Sequence, residues 1–384
     1  MSSRFRAGRW KKQVGPEGYG AFIPALLPPN PAIALDGELQ TLLESASLAL
    51  GRLDGISLLL PDPSPFLYMY VRKEAVLSSQ IEGTQSSLSD LLLFESDEVP
   101  NVAIGDVQEV SNYRAAMQYG LDRLEGGFPL SLRLIREIHG ILMGDACGGD
   151  KTPGEFRHSQ NWIGGSRLGD ARFVPPPPHA LMPSLDNLEK FLHAPGAMPL
   201  LVKAGLAHAQ FETIHPFLDG NGRIGRLLIT FLLCAEGALK QPLLYLSLYL
   251  KENRESYYDC LQRIRTDGDW EGWLRFYLRG VERVAVQATS TAGNIIQLFE
   301  SDRRRIHESG KSAGTALRVH ELFKQRPIQT VSLLVDVFGI SKPTAAAALA
   351  KLESLGIVRE ESGRRRGRYF AYRRYIEVLN DGTQ

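Results

Sequence analysis

Twelve consecutive residues, His215-Pro216-Phe217-Leu218-Asp219-Gly220-Asn221-Gly222-Arg223-Ile224-Gly225-Arg226, bring together a histidine, a carboxylate, three glycines, an asparagine and two arginines. Such a set can hold a nucleoside triphosphate. Glycines on either side of Asn221 let backbone N–H groups turn inward as an anion nest, and the apolar run Leu227 to Ala235 predicts a helix whose N-terminus faces the phosphates. Pro216 ends the preceding helix and leaves the His215 imidazole at the mouth of that nest. An imidazole titrating near neutrality suits the role of general base toward a hydroxyl. Asp219 offers a hard oxygen ligand, and Mg²⁺ commonly takes about one or two protein carboxylates, leaving phosphate oxygens and water to fill its shell. Asn221, Arg223 and Arg226 can bind phosphate oxygens, the arginines carrying charge that develops during an in-line displacement. The run contains no Ser, Lys or Cys, so direct transfer to an acceptor hydroxyl is the economical scheme.

Helices must position this run. Apolar residues recur at helical spacing from Leu39 to Gly51, Tyr68 to Ile81, Val107 to Leu124, Ser131 to Met143, Met182 to Leu192, Leu200 to Ile214, Arg226 to Glu236, Ser256 to Arg265 and Trp270 to Leu298. Residues 1 to about 35, rich in Gly and Pro, read as an extended arm on the surface. Asn161 to Pro178 differs from its surroundings. Its Trp-Ile-Gly-Gly, Arg-Phe-Val and four prolines suit a short hairpin running into a rigid extended segment.

A composition shift follows Ser301, where Asp302-Arg303-Arg304-Arg305 leads to Ser309-Gly310-Lys311-Ser312-Ala313-Gly314 and reads as a hinge. Beyond it, Leu317 to Lys324, Thr330 to Phe338 and Thr344 to Leu355 are three short helices, the last two joined by Gly339-Ile340-Ser341-Lys342-Pro343. Strands at 357–361 and 369–372 around an arginine-rich turn complete a winged helix-turn-helix. From Lys311 onward there are thirteen Lys or Arg against seven Asp or Glu, an excess concentrated in the wing. Lys342, Thr344, Arg364, Arg365, Arg366 and Arg368 are the candidate DNA contacts, with docking of a protein as the other reading. The expected domains are 1–100, an arm and inhibitory helix region; 101–300, a catalytic core; and 311–384, the winged helix.

A formal net charge of +1 argues against wholesale polyanion binding, and 43% hydrophobic residues supply ample core. Cys147, Cys234 and Cys260 are odd in number and far apart, which suits a reducing compartment. No segment reaches the roughly 18 apolar residues of a membrane span. A soluble cytoplasmic protein without a membrane partner is expected, with a homodimer left open.

The central run resembles the Fic family signature, His-x-Phe-x-Asp/Glu-Gly-Asn-Gly-Arg-x-x-Arg, at every fixed position. The resemblance implies a mainly α protein with a Fic-type helical core and a short β-hairpin flap. It also implies transfer of AMP from ATP to a Ser, Thr or Tyr hydroxyl of a protein target, with pyrophosphate released. His215 would be the base, Asp219 the Mg²⁺ ligand, Gly220, Asn221 and Gly222 the phosphate nest, and Arg223 and Arg226 the phosphate arginines. Doc kinases resemble the family but carry lysine for the first arginine and altered glycines. Retention of Gly222 and Arg223 favours nucleotidyl over phosphoryl transfer.

Ser78-Ser79-Gln80-Ile81-Glu82-Gly83 looks like the Ser/Thr-x-x-x-Glu-Gly/Asn inhibitory motif of one Fic class. Ser78 and Glu82 share a helix face, and Glu82 would pair with Arg226 where a γ-phosphate belongs, acting as an off switch. In some relatives such a glutamate also helps to remove the modification. Asn161 to Pro178 resembles the flap that docks the target by backbone pairing, with Trp162, Ile163 and Phe173 equally readable as core. Gln210 and Tyr258 are candidates for containing the base or ribose, and Tyr257 and Gly154 to Arg157 read mainly as structural support. The competing function is a DNA-binding transcriptional regulator whose Fic core senses nucleotide.

Overall fold

A computed structural model of the chain describes residues 6–13, 18–59, 63–96, 98–100, 102–144, 151–196, 198–310, 313–364 and 367–380. The expected arm begins instead as an antiparallel hairpin of β1 (Gly8–Lys12) and β2 (Gly20–Pro24), with Gly8 opposite Pro24 and Lys12 opposite Gly20. Its Gly and Pro content concealed a second strand that buries Ala21, Phe22 and Pro24 and ties Phe22 N–H to the Val174 carbonyl at 2.9 Å.

Eleven helices follow in the order α1 (Gly37–Leu59), α2 (Ser64–Glu82), α3 (Leu88–Phe94), α4 (Ile104–Glu125), α5 (Leu132–Met143), α6 (Pro178–His193), α7 (Leu200–Ile214), α8 (Asn221–Ala235), α9 (Ser247–Glu252), α10 (Arg254–Asp267) and α11 (Trp270–Glu308). Local chemistry sets several boundaries. The Gly83 left-handed cap, φ 113°, closes α2. Ser87 and Asp90 form a capping box at the start of α3. Asp269 accepts the Gly272 N–H at the start of α11. Helices α7 and α8 form the centre, α4 and α5 pack together beside α8, and α1 lies along α11. Nearly all of α7 is buried, because Leu201, Leu206, Phe211 and Ile214 meet neighbours all around the helix.

Helix α11 continues through Asp302-Arg303-Arg304-Arg305 to Glu308 and breaks at Gly310, φ 91°, within the Ser309 to Gly314 segment that reads as a hinge. Charge there reflects a helix with one buried side, since Asp302 and Ile306 are fully enclosed. The C-terminal region comprises α12 (Ala313–Gln325), β3 (Ile328–Thr330), α13 (Val331–Phe338), α14 (Lys342–Ser354), β4 (Arg359–Glu360), β5 (Tyr369–Ala371) and α15 (Arg373–Asn380). The strands form an antiparallel sheet in the order β3-β5-β4. Gly339, φ 62°, ends α13; Ser341 caps α14, and the two helices meet at 118°.

This region is built onto the core. Tyr372 OH donates to Asp302 at 2.7 Å, Tyr375 OH donates to the Pro65 carbonyl of α2 at 3.2 Å, and Phe299 packs among Phe66, His320, Tyr372 and Tyr375. No single helix among the described residues is long and apolar enough to cross a membrane.

Candidate active site

The junction between α7 and α8 carries the twelve-residue run. His215 has φ 49° and ψ 62°, a left-handed conformation uncommon outside glycine that persists only where the surroundings enforce it. Its carbonyl accepts hydrogen bonds from Arg157 Nε at 2.9 Å and Asn161 Nδ2 at 3.4 Å. Arg157 also donates from Nη2 to the Pro176 carbonyl at 2.6 Å and from its backbone N–H to the Pro216 carbonyl at 2.9 Å. Arg157 is therefore a clamp on the backbone of His215 and Pro216, which gives the support read in Gly154 to Arg157 a definite form.

Phe217 is buried under His139, ring to ring at 3.7 Å and nearly parallel. The Gly154 N–H donates to His139 Nδ1 at 2.9 Å, so the imidazole carries its proton on Nε2 and donates it to the Asp219 carbonyl at 3.1 Å. Burial pushes His139 down to about 4, which keeps it neutral in this role. The Asp219 side chain remains exposed, one oxygen accepting the Gly220 N–H at 2.6 Å. Gly220, φ 73°, opens α8.

Asn221 departs from expectation. Its Oδ1 accepts the Phe217 N–H at 2.8 Å and its Nδ2 donates to the Phe217 carbonyl at 2.9 Å, so the side chain clamps the loop instead of reaching for phosphate. Only its backbone belongs to the helix N-terminus. Gln210 is likewise reassigned: its Nε2 donates to the Ala25 carbonyl at 2.8 Å, fastening α7 to the N-terminal hairpin, far from any ribose role. Tyr257 donates to or accepts from His208 Nε2 at 2.8 Å in the core, while Tyr258 is half-buried with Arg254 5.7 Å from its ring.

The arginines face one anion site. Arg226 is buried; its Nε donates to Ser78 Oγ at 2.8 Å, and its Nη2 donates to the Ser78 carbonyl at 3.0 Å and to Glu82 Oε1 at 2.6 Å. Arg223 pairs with Glu109 at 3.1 Å and lies 3.9 Å from Asp219. Glu82, at the end of α2, reaches the first turn of α8, where a Cβ on Gly222 would collide with its Oε1. Burial acts to raise the Glu82 carboxyl, but the Arg226 ion pair and hydrogen bond, with Arg223 and His215 nearby, hold it below the usual carboxylate range. The carboxylate is thus an anion in the position that a helix N-terminus and two arginines favour. Its side chain is still 35% exposed, so another anion can reach the same place.

His215 is half-buried, with Nδ1 enclosed. Burial pushes its imidazole down to about 3, assisted by the Arg265 and Arg157 cations and opposed by Glu82. At neutral pH the ring is unprotonated and able to accept a proton.

The expected flap is reduced to one antiparallel bridge, Ile163 to Phe173, closed by two hydrogen bonds of 2.8 and 3.1 Å, before the prolines run extended into α6. Phe173 is buried, Trp162 is exposed and Ile163 lies between. His139, Glu109, Asn161 and Arg265 escaped the sequence reading. Each reaches the site from a separate element, and no local spacing marks such a meeting.

In the C-terminal region, Lys342 and Arg368 are exposed on an open concavity of about 380 Å³ that also includes Thr330 and Ala346. Thr344 Oγ1 shares a hydrogen bond with Ser341 at 2.8 Å. Arg364 is engaged with Glu98 at 2.8 Å, which removes it from the free cations expected of the wing. Arg365 and Arg366 lie outside the described residues, as does Cys147. Cys234 and Cys260 are unbridged.

A helical core presenting an imidazole beside a cationic helix terminus has the fold of Fic proteins. A Fic family protein from Desulfovibrio desulfuricans G20 superposes with a TM-score of 0.58 at 20% identity, covering 88% of this chain and 97% of its own. Fic-1 from C. elegans gives 0.50 at 21% identity, over 67% and 73%. Residues 40–122 match the Fic/DOC family N-terminal model, and residues 129–233 match the Fic/DOC family model. Protein adenylyltransferase Fic of Aedes aegypti is 30% identical over 261 residues, 62% of this chain and 49% of that protein. The namesake in Culex quinquefasciatus is 30% identical over 257 residues, 63% of this chain and 47% of that protein. The chain spans about half the length of these curated relatives.

Proposed function

We propose that this chain is an autoinhibited protein adenylyltransferase, which moves AMP from ATP to a hydroxyl of a protein target. The observation that carries the reading is the Glu82 carboxylate on Arg226 at the N-terminus of α8, beside a neutral His215. With Glu82 displaced, the β- and γ-phosphates take the anion site, held by Arg223, Arg226 and the amides that open α8. His215 accepts the proton of the acceptor hydroxyl. Its oxygen bonds to the α-phosphorus as the bond to the β-phosphate bridging oxygen breaks, and pyrophosphate leaves. Asp219, exposed beside this terminus, is a fitting single carboxylate for Mg²⁺, which would neutralise phosphate charge when bound.

Glu82 keeps ATP unproductive by holding Arg226 away from the γ-phosphate. A carboxylate so close to His215 can also serve the reverse reaction, removal of AMP by water. The test is incubation of purified chain with labelled ATP and Mg²⁺. Weak self-labelling, a rise of about tenfold or more in Glu82→Gly, and none in His215→Ala are expected. Labelling that survives in His215→Ala removes it from the base role. Mass spectrometry of the product identifies the transferred group and acceptor.

The exposed Lys342 and Arg368 beside the α14 N-terminus favour a second role, in which the C-terminal region acts as a winged helix-turn-helix contacting DNA. Affinity for a duplex should then fall steeply as salt rises. Absence of binding at low salt leaves this region to docking of a protein.

A further inference from the structure

Arg265 lies behind the last turn of α7 and is 6% exposed. Its Nη2 donates to the Glu212 carbonyl at 3.1 Å, its Nε donates to Thr213 Oγ1 at 3.4 Å, and its guanidinium sits 3.9 Å from the centroid of the Phe173 ring. Among the described residues no carboxylate lies within ion-pair distance of it. A buried guanidinium held only by a carbonyl, a hydroxyl and a ring face is a costly arrangement, so its gain must lie elsewhere. Two residues beyond Thr213 is His215.

The far side of the cation is fixed too. Phe173 is bridged through its backbone to Ile163, and its ring meets Phe22 at 5.9 Å and Trp10 at 5.8 Å. Flap, N-terminal hairpin and α10 therefore converge on one guanidinium.

We propose that Arg265 is a positioning residue for His215: clamped between the flap and the last turn of α7, it orients the imidazole and sets the electrostatic field there. The inference takes from the adenylyltransferase reading only the role of His215 as base. A fixed cation disfavours a second positive charge nearby, and Arg265 leads the charged groups that keep the ring neutral, followed by Arg157 from the loop before the flap. Glu82 of α2 acts in the opposite sense, while Arg226 and Arg223 of α8 are engaged with Glu82 and Glu109. Glu212, on α7 itself, is raised to about 7 by burial and offsets Arg265 incompletely.

The experiment is an NMR titration of the full chain with isotope-labelled histidine, His215 being identified by the resonance lost in His215→Ala. In Arg265→Gln the His215 titration should move up by about one pH unit, and in Arg265→Lys it should stay near the parent value. In a Glu82→Gly background, Arg265→Gln should slow AMP incorporation at saturating ATP by about tenfold, because the lost orientation of the imidazole outweighs its gain in basicity, and leave the KM for ATP within about twofold. An unmoved His215 titration in a folded Arg265→Gln chain overturns the proposal, as does a loss confined to KM. Should that variant fail to fold, Phe173→Leu, which loosens the clamp and keeps the cation, must shift the same resonance. A shifted titration alongside labelling that persists in His215→Ala would sink the catalytic reading and leave Arg265 in its role.

Discussion

Asn221 and His139 illustrate how much of the loop between α7 and α8 is held by side chains turned onto its own backbone. Asn221→Ala removes two buried hydrogen bonds to the Phe217 backbone and should cost about 2 kcal/mol, measured by urea unfolding, with slower AMP incorporation as the loop loosens. The pH dependence at His139 follows from its lowered folded value of about 4. An unfolded histidine near 6.5 binds protons first, so the stability contributed by the neutral ring is complete above about 6.5 and is lost as pH falls toward 4. Urea midpoints at pH 7 and pH 5 should therefore differ less in His139→Gln than in the parent. The types in the twelve-residue run were legible as phosphate chemistry because each is short-range equipment. The division of labour within it was not: the Asn221 amide could reach a phosphate oxygen or the loop itself, and only its meeting with the Phe217 N–H and carbonyl makes it a clamp.

Helix α2 brings a carboxylate to the N-terminus of α8. Its last turn carries Ser78 and Glu82 against Arg226, and Gly83 terminates it in a left-handed conformation with no atom within 4 Å of where a Cβ would stand. Gly83→Ala therefore acts through the backbone alone, costing about 1 kcal/mol and fraying the turn that aims Glu82. Self-labelling should rise severalfold, less than in Glu82→Gly; unchanged labelling would separate the inhibitory contact from helix termination. Helical periodicity made α2 and α7 readable, since both run long enough for apolar residues to repeat. The N-terminal hairpin was not readable, because five-residue strands flanked by Gly and Pro resemble a loop until Phe22 finds Val174 and Phe173. The same shortness reduced the flap to a single bridge.

At the scale of the molecule, the C-terminal region shares its core with α2, the helix that bears Glu82. Tyr372→Phe leaves Asp302, fully buried, short of its 2.7 Å donor and should cost about 1–2 kcal/mol. Because Phe299 and Tyr375 join α11, α2 and α15, calorimetry should record one cooperative transition at a lower midpoint, not an early separate melting of the C-terminal region. The composition after Ser301 pointed to a break at Ser309 to Gly314, and α11 ends there; the charged residues before it stay helical because one face, with Asp302 and Ile306, is buried. What the sequence alone determined is the inventory: which chemistry the central run can perform, which segments are helical, and that Glu82 sits one turn from Ser78. Those depend on residue type and on spacings of a few residues, which covalent geometry and helical repeat translate directly. Tertiary structure decided the rest: the 2.6 Å pairing of Glu82 with Arg226 across 144 positions, the stacking of His139 on Phe217, and the unpaired Arg265 behind His215. Such contacts join residues from different elements, and their geometry exists only once packing has fixed how those elements meet.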